Sequence, residues 1–274
     1  TLKTKQVRDH LERIGGLKNP PLDETTPSPE PFGYRNKVTV HGRDGQLGFL
    51  DLSGRHIVPI RSCPLAQDEV NRQLADFLKT YRGQEGDFTF RSLEKRSGVA
   101  ATSFFQTNCF LLPRLVQTVR EMMSTVPVGV LVDAYSGVGL FALALADVAR
   151  RVIGIESDAR AVETARARAA GSKCDHVEFI EGPVESRLAD VLAREGGEGV
   201  GIVLDPPRAG CALRVIECLH VHRPARIVYV SCNPPTLARD LKLLHPHYRV
   251  EKIVPLDMFP QTTHIECVAS LLRA

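Results

Sequence analysis

From about residue 103 to its end, the chain alternates short apolar runs with amphipathic segments, and this alternation limits the fold more than any other feature. Parallel strands need long crossover connections, which helices usually supply, so repeated strand–helix units indicate a parallel sheet. The predicted strands are 129–133, 151–156, 177–181, 200–205 and 227–230, and the predicted helices are 113–123, 140–148 and 159–170. We therefore expect an α/β domain with a doubly wound, mostly parallel sheet at residues 101–274.

The first hundred residues follow a different pattern. Gly-containing turns separate short strand-like runs, and the flanking segments have helical spacing. The predicted helices are 2–14 and 67–81, the predicted strands are 35–41, 46–52 and 56–61, and a proline-containing connector occupies 18–31. This pattern predicts a smaller α+β domain at residues 1–100.

The composition excludes several classes of protein. A chain of 274 residues, 43% of them apolar, can bury a sizeable core. No apolar stretch reaches the ~18 residues that a membrane helix needs, so we expect no membrane segment. The seven cysteines lack the dense spacing of a secreted disulfide scaffold, which favours the reducing cytoplasm. The net charge of +3 is too small to identify a nucleic-acid partner by itself.

A glycine-containing turn, Gly137-Val138-Gly139, lies between the predicted strand 129–133 and the predicted helix 140–148. Glycines let backbone approach a ligand closely, and a helix N-terminus offers unpaired N–H groups. Glu156 ends the next strand, where an acidic side chain commonly accepts hydrogen bonds from ribose hydroxyls. The spacing also satisfies the dinucleotide pattern, so S-adenosylmethionine, a dinucleotide and a simple packing turn all remain open on this segment alone.

A cysteine lies directly after the apolar run 227–230, within the sequence Ser-Cys-Asn-Pro-Pro at 231–235. Substrates of α/β proteins bind at the carboxyl ends of strands, so a thiol held there is available as a nucleophile. A single cysteine is more often a small buried hydrophobe, and Cys232 alone is therefore weak support for catalysis.

Five segments, in order along the chain, together resemble the RNA uracil-5-methyltransferase family, whose members make 5-methyluridine in tRNA and in large-subunit rRNA. The segments are Phe-Gln-Thr-Asn at 105–108, Asp-Ala-Tyr-Ser-Gly-Val-Gly at 133–139, Leu-Asp-Pro-Pro-Arg at 204–208, the cysteine segment at 231–235, and 257–267 with Asp-Met-Phe-Pro-Gln and His-Ile-Glu-Cys. The resemblance implies a Rossmann-like class I methyltransferase fold for 101–274 and an RNA-binding role for 1–100.

The resemblance also implies roles for individual residues. It places S-adenosylmethionine in contact with Gln106, Tyr135, Glu156 and Asp205, with Gly137 lining the loop. It makes Cys232 the nucleophile and Glu266 the base.

The chemistry of uracil agrees with this pair of residues. C5 of uracil is too weak a nucleophile to accept a methyl group until a thiolate adds to C6, and a base must then remove the C5 proton. Glu266 lies between apolar Ile265 and Cys267, where a carboxylate is costly unless it is used or paired. Strand alternation points Cys267 to the opposite face, so we expect Cys267 to be a core residue.

Contacts to the RNA are expected at four positions, three of which have a structural alternative. Phe104 or Phe105 can stack on an extruded base or pack in the core. Asp205 can bond the uracil edge as well as the cofactor. Arg208 can contact a phosphate or cap a helix, and His264 can contact a phosphate or shape its loop. The expected partner is structured RNA, either tRNA or rRNA, bound by a monomer.

Cys63 matches a position at which some family members hold the last cysteine of an iron–sulfur cluster. The other three ligands would lie upstream in a CxxC-containing run, which this sequence does not contain. We therefore expect an N-terminal truncation, with an iron–sulfur cluster possible only in a longer form and no metal bound here.

Three alternative functions remain. An RNA cytosine C5-methyltransferase uses the same thiolate addition, and a non-catalytic RNA-binding protein can retain the fold. A dinucleotide oxidoreductase accounts for the glycine turn but leaves Cys232 and Glu266 unexplained.

Overall fold

A computed structural model describes residues 1–92, 108–197 and 199–274 of the chain. The chain forms two compact units. The larger contains Thr1–Pro27, Pro113–Met258 and Thr263–Ala274, and the smaller contains Ser28–Leu112 and Phe259–Thr262. Thr1–Pro27 thus belongs to the larger unit, which differs from the boundary predicted near residue 100.

The helices and strands follow the predicted order, with several additions. The strands are β1 (Lys37–Arg43), β2 (Gln46–Leu50), β3 (Ile57–Pro59), β4 (Gly86–Arg91), β5 (Val130–Ala134), β6 (Arg151–Glu156), β7 (Val177–Glu181), β8 (Val200–Leu204), β9 (Arg226–Ser231), β10 (Tyr248–Leu256) and β11 (Glu266–Arg273). The helices are α1 (Leu2–Arg13), α2 (Asp68–Thr80), α3 (Leu112–Met123), α4 (Leu140–Ala144), α5 (Ala159–Gly171), α6 (Val184–Glu195), α7 (Leu213–His222) and α8 (Pro234–Leu244). The sequence pattern did not predict β4, β10, α6, α7 or α8.

The larger unit is built on a seven-stranded sheet with the order β10-β11-β9-β8-β5-β6-β7. Strands β5 to β9 pair in parallel, whereas β11 runs antiparallel to both β9 and β10. Strands β8 and β9 are buried along their whole length, as expected for continuous apolar runs covered on both faces. The predicted mostly parallel sheet is confirmed.

The N-terminal segment joins the larger unit through its helix and its connector. In α1, Val7 and Leu11 are fully buried in the core that α6, α7 and α8 form against the sheet. The connector then runs along the edge strand β10, where the amide of Asp23 donates to the carbonyl of Ile253 at 2.9 Å. The connector therefore covers a sheet edge that would otherwise expose unpaired backbone groups.

The smaller unit is an antiparallel four-stranded sheet, with the order β3-β2-β1-β4, and the helix α2. Val70 and Leu74 of α2 are fully buried in its core. The ring of Phe77 lies 4.7 Å from that of Phe88 on β4, measured between centroids. The predicted α+β character of this part of the chain is confirmed.

None of the helices in the described part of the chain has the length and apolar character to cross a membrane.

Leu11→Ala is expected to destabilise the larger unit by about 2–5 kcal/mol, because it removes a fully buried side chain from the core. Leu2→Ala on the same helix is the control, since Leu2 is 88% exposed, and its effect should stay within about 0.5 kcal/mol. Urea unfolding followed by circular dichroism measures both. Equal stability of the two variants would contradict the packing of α1 in this core.

Candidate active site

Three polar side chains come together where β8 and β9 end and β11 begins. Asp205 directly follows β8, Cys232 directly follows β9, and Glu266 is the first residue of β11. Parallel pairing of β8 with β9 brings Asp205 and Cys232 to the same edge of the sheet. Because β11 pairs Cys267 with Ser231, the adjoining residues Glu266 and Cys232 also lie beside each other. This edge is where ligands of open α/β sheets bind.

Burial governs the protonation of the two carboxyl groups. Glu266 is 2% exposed, and burial followed by the charge of Asp205 raises the pKa of Glu266 well above its usual value. Burial raises the pKa of Asp205 to about 7. Two carboxylates this close in a poorly hydrated site do not ionise independently, so the pair retains a proton near neutral pH.

The thiol of Cys232 is also held in its protonated form. Burial, followed by the charges of Glu266 and Asp205, raises the pKa of Cys232 to about 11, although Arg208 partly offsets these effects. Since only a thiolate is a strong nucleophile, the thiol needs a proton acceptor when a substrate arrives. The carboxyl groups of Glu266 and Asp205 are close enough to change the pKa of that thiol through their charge.

The loop after β8 is tied to the start of α8 by hydrogen bonds to one carbonyl. The carbonyl of Arg208 accepts from Asn233 Nδ2 at 2.9 Å and from Thr236 Oγ1 at 3.3 Å. The exposed Arg208 side chain also donates from Nη2 to Nδ1 of His264 at 3.2 Å. Because a guanidinium group can only donate, Nδ1 of His264 carries no proton in this arrangement. The two predicted RNA contacts therefore lie next to each other.

A buried acid on α8 supports the same loop, and it was not predicted from the sequence. Asp240 on α8 is fully buried, and its Oδ2 accepts from the Tyr229 hydroxyl at 2.6 Å and from the Cys211 amide at 2.9 Å. Arg239 pairs with Asp240 Oδ1 at 2.7 Å and donates to the carbonyl of Ala209 at 2.9 Å. The sequence signal for such a network is an acidic residue among the leucines of α8, because a buried carboxylate needs hydrogen-bond partners.

The loop between β5 and α4 has the backbone conformation expected of a ligand loop. Gly137 and Gly139 have positive φ angles of 52° and 78°. A Cβ atom on Gly139 would lie 2.7 Å from the ring of Phe179, so only glycine fits there. At Gly137 no described atom lies within 4 Å of the Cβ position, which leaves open space beside the loop. Tyr135, before the loop, also has a positive φ, of 67°.

Glu156, at the end of β6, fixes this loop from the neighbouring strand. Its Oε2 accepts from the Gly137 amide at 2.9 Å. Its Oε1 accepts from the amides of Ser157 at 2.7 Å and Asp158 at 2.9 Å. Tyr135, Gly137 and Glu156 are thus brought together at the carboxyl ends of β5 and β6, as the sequence predicted. The hydroxyl of Tyr135 lies 3.4 Å from Glu185 Oε1.

Asp133 lies beneath the glycine loop and was not predicted as a site residue. It is fully buried, and burial raises its pKa to about 8. Its Oδ2 accepts from the Ala142 amide at 2.7 Å, whereas its Oδ1 and the buried Ser136 Oγ have no hydrogen-bond partner among the described residues. The predicted helix at 140–148 was too long, because α4 ends at Ala144. In its first turn, the amide of Ala142 donates to Asp133 and is therefore not available to a ligand.

The remaining residues predicted from the sequence are either not described by the structure or lie in a core. Gln106, Phe104 and Phe105 lie outside the described residues. Cys63 is buried in the core of the smaller unit, and Cys267 is fully buried, as expected of a core residue. Within residues 1–92, 108–197 and 199–274, no group of three or more His, Cys, Asp or Glu side chains could hold a metal ion.

Comparisons with known proteins relate this geometry to a family. The family model described as tRNA (uracil-5-)-methyltransferase matches residues 84–274. An uncharacterized RNA methyltransferase of Gloeobacter violaceus is 31% identical, over 99% of this chain and 77% of its own length. Another, from Oceanobacillus iheyensis, is 39% identical over 68% of this chain and 39% of its own length.

A solved structure extends the similarity to the fold. The Pyrococcus abyssi tRNA (uracil-54, C5)-methyltransferase, in complex with S-adenosyl-L-homocysteine, aligns with a TM-score of 0.74 at 29% identity. The alignment covers 99% of this chain and 83% of that one. The predicted class I methyltransferase fold is confirmed, with its mostly parallel seven-stranded sheet and a smaller antiparallel unit.

Glu266→Gln is expected to raise the melting temperature at neutral and alkaline pH. Because the pKa of Glu266 is raised on folding, the folded state binds more protons than the unfolded state above about pH 4.3. The wild type therefore loses stability as pH rises through that window, and the variant does not. The melting-temperature difference should grow from pH 4 to pH 8, by about 2–4 °C per kcal/mol. A pH-independent difference would contradict the raised pKa.

Asp240→Ala is expected to cost about 2–5 kcal/mol, since it leaves two buried donors, the Tyr229 hydroxyl and the Cys211 amide, without their acceptor. Asp9→Ala is the matched control, because the Lys5–Asp9 pair on α1 is exposed and its loss should leave the urea midpoint close to that of the wild type. Urea unfolding of both variants makes the comparison. A loss of less than about 1 kcal/mol for Asp240→Ala would argue against the network.

Proposed function

We propose a reaction for this chain from one established premise: the chain belongs to the tRNA (uracil-5-)-methyltransferase family and is a methyltransferase. The proposed reaction transfers a methyl group from S-adenosylmethionine to C5 of a uridine in structured RNA. The observation that carries the proposal is the meeting of Cys232, Glu266 and Asp205 at one edge of the sheet.

The proposed first step is addition of the Cys232 sulfur to C6 of the uracil. The thiol proton leaves to a neighbouring carboxylate or to water, the S–C6 bond forms, and the C5–C6 double-bond electrons move toward O4. C5 thereby becomes a nucleophile strong enough to take the methyl group. The raised pKa of Cys232 keeps the free thiol protonated, so the nucleophile is formed only as the step proceeds.

The proposed second role belongs to Glu266. After methyl transfer, C5 carries both a methyl group and a proton, and Glu266 removes the proton. The C5–C6 double bond re-forms, the S–C6 bond breaks, and the thiolate of Cys232 is released. A buried carboxylate is a stronger base than one in water, which suits the removal of a carbon-bound proton. Asp205 is proposed to bond the edge of the uracil and to modulate Glu266 through its charge.

The residues around the glycine loop fit a nucleoside-containing methyl donor. The open space beside Gly137 accommodates a ligand close to the backbone, and the buried Asp133 Oδ1 and Ser136 Oγ offer polar atoms beneath it. Tyr135, Gly137 and Glu156 are the described residues proposed to hold the donor, with Asp205 at the neighbouring strand end. S-adenosylmethionine supplies an electrophilic methyl group when bound. The product complex of the Pyrococcus enzyme supports this donor.

Arg208 and His264 are proposed to bind the RNA backbone at the opening of the site. Both side chains are exposed and adjacent, and a guanidinium group presents a planar fork of donors that suits a phosphate. The reacting base must leave its stack to bring C5 and C6 to Cys232. Because the Pyrococcus relative acts on tRNA, tRNA is the first substrate to test, with ribosomal RNA as the second.

RNA containing 5-fluorouridine tests the reaction directly. Fluorine at C5 cannot leave as a proton, so the enzyme should remain covalently attached to the RNA after methyl transfer. We expect an adduct on a denaturing gel that requires S-adenosylmethionine and maps to Cys232 by mass spectrometry. Cys232→Ala should abolish it completely.

Cys218→Ala is the matched control for this experiment. The Cys218 thiol is half-buried and burial raises its pKa to about 11, like that of Cys232, but it lies on α7 away from the strand ends. This variant should retain the adduct. Parallel reactions with 5-fluorocytidine RNA test cytosine as the target base. An adduct at another residue, or only with cytidine, would contradict the proposal.

A further inference from the structure

A lysine in the first turn of α1 bridges the two ends of the segment that connects β10 to β11. Lys3 Nζ donates to Asp257 Oδ1 at 2.5 Å and to the carbonyl of His264 at 2.9 Å. Asp257 directly follows β10, and His264 lies two residues before Glu266. One ammonium group therefore connects the start of this segment with its end.

Side chains of α1 donate to the backbone just before Glu266. Strand pairing of β11 begins at Glu266, which pairs with Leu256 of β10. The preceding residues lie outside the strand ladder, and α1 supplies hydrogen bonds to them. Besides the bond from Lys3 to His264, Gln6 Nε2 donates to the carbonyl of Thr263 at 3.4 Å. The helix thus holds two consecutive carbonyl groups immediately upstream of β11.

The helix that carries Lys3 is itself firmly held. Val7 and Leu11 are fully buried in the core of the larger unit. In the first turn, the buried Thr4 Oγ1 accepts from the Thr25 amide at 3.0 Å. The Lys3 and Asp257 side chains are 17% and 20% exposed, so water screens their attraction less than it screens an exposed pair. These contacts give Lys3 a rigid support, which a flexible surface lysine does not have.

We propose that Lys3 is a positioning residue for the base of the reaction. By holding the His264 carbonyl and the Asp257 carboxylate together, Lys3 sets the direction in which the backbone enters β11 and hence the position of the Glu266 carboxylate. The inference rests on the proposed role of Glu266. It also assigns a part in catalysis to α1, which lies outside the segment 84–274 that the family model matches.

A positioning role predicts a specific kinetic defect. Addition of Cys232 to C6 and methyl transfer do not require Glu266, whereas removal of the C5 proton does. If Glu266 is displaced, the methylated RNA stays attached through the S–C6 bond until the proton leaves. A Lys3 variant should therefore accumulate a covalent complex with ordinary uridine RNA. Loss of folded protein alone would lower all steps equally and leave no such complex.

The experiment compares Lys3→Met with Lys5→Met. Methionine keeps much of the apolar stem of Lys3 and removes its three donors. Lys5 lies on the same helix, but its side chain is 72% exposed and, among the described residues, forms its ion pair with Asp9 in an i,i+4 bridge. Lys3→Met should lower kcat by roughly tenfold to a hundredfold, as expected for a displaced catalytic group. KM should fall with kcat, because the slowed step follows formation of the adduct, so kcat/KM should change little. Lys3→Met should also trap protein on uridine RNA, and Lys5→Met should match the wild type in both measurements.

Glu266→Gln run in parallel separates this inference from the proposed reaction. If Glu266→Gln traps RNA and Lys3→Met does not, the positioning role is overturned and the proposed reaction stands. If neither Glu266→Gln nor Lys3→Met traps RNA, the proposed base is wrong and the inference falls with it. Should Lys3→Met melt far below the wild type, Asp257→Asn, which removes the carboxylate charge from the same bridge, becomes the deciding variant under the same criteria.

Discussion

Removal of water from a pair of carboxyl groups is the constraint on which the rest of this structure depends. Glu266 is almost inaccessible to solvent, and its pKa rises because burial and the nearby charge of Asp205 both oppose ionisation. The same surroundings raise the pKa of the Cys232 thiol. Such groups cost folding free energy in the absence of substrate, and their positions must therefore be imposed by neighbouring elements.

Polar anchors outside the reacting trio supply that support. Asp240 and Arg239 on α8 hold the loop after β8, and Asn233, the residue after Cys232, donates to the same loop at the Arg208 carbonyl. On the other side, Lys3 holds the backbone that leads into Glu266. Each anchor joins two segments that are distant in sequence, so the geometry of the site is a property of the packed larger unit and not of any single loop.

The sequence predicted those parts of the fold whose signal is local. Strands β6 and β7 have the predicted bounds, because each is a run rich in β-branched residues with a turn at its end. The positions of Asp205 and Cys232 followed from the rule that ligands bind where parallel strands end. By contrast, the predicted length of α4 was wrong. The apolar run 140–148 has the same sequence pattern whether it forms one helix or a short helix followed by a 3-10 turn. The membership of α1 in the larger unit, the role of Lys3 and the burial of Asp240 depend on contacts between residues far apart in the chain, which local patterns do not encode.

In the proposed reaction, a methyl group replaces the C5 proton of a uridine. The most direct measurement uses transcribed tRNA with tritium at C5 of uridine and S-adenosylmethionine with a carbon-14 methyl group, counting both labels in one reaction. We expect one tritium to be released to water for each methyl group that enters the RNA, and tritium at C5 of cytidine to stay in place. Methyl incorporation without release of uridine tritium would contradict the account, because the methyl group would then lie on another atom.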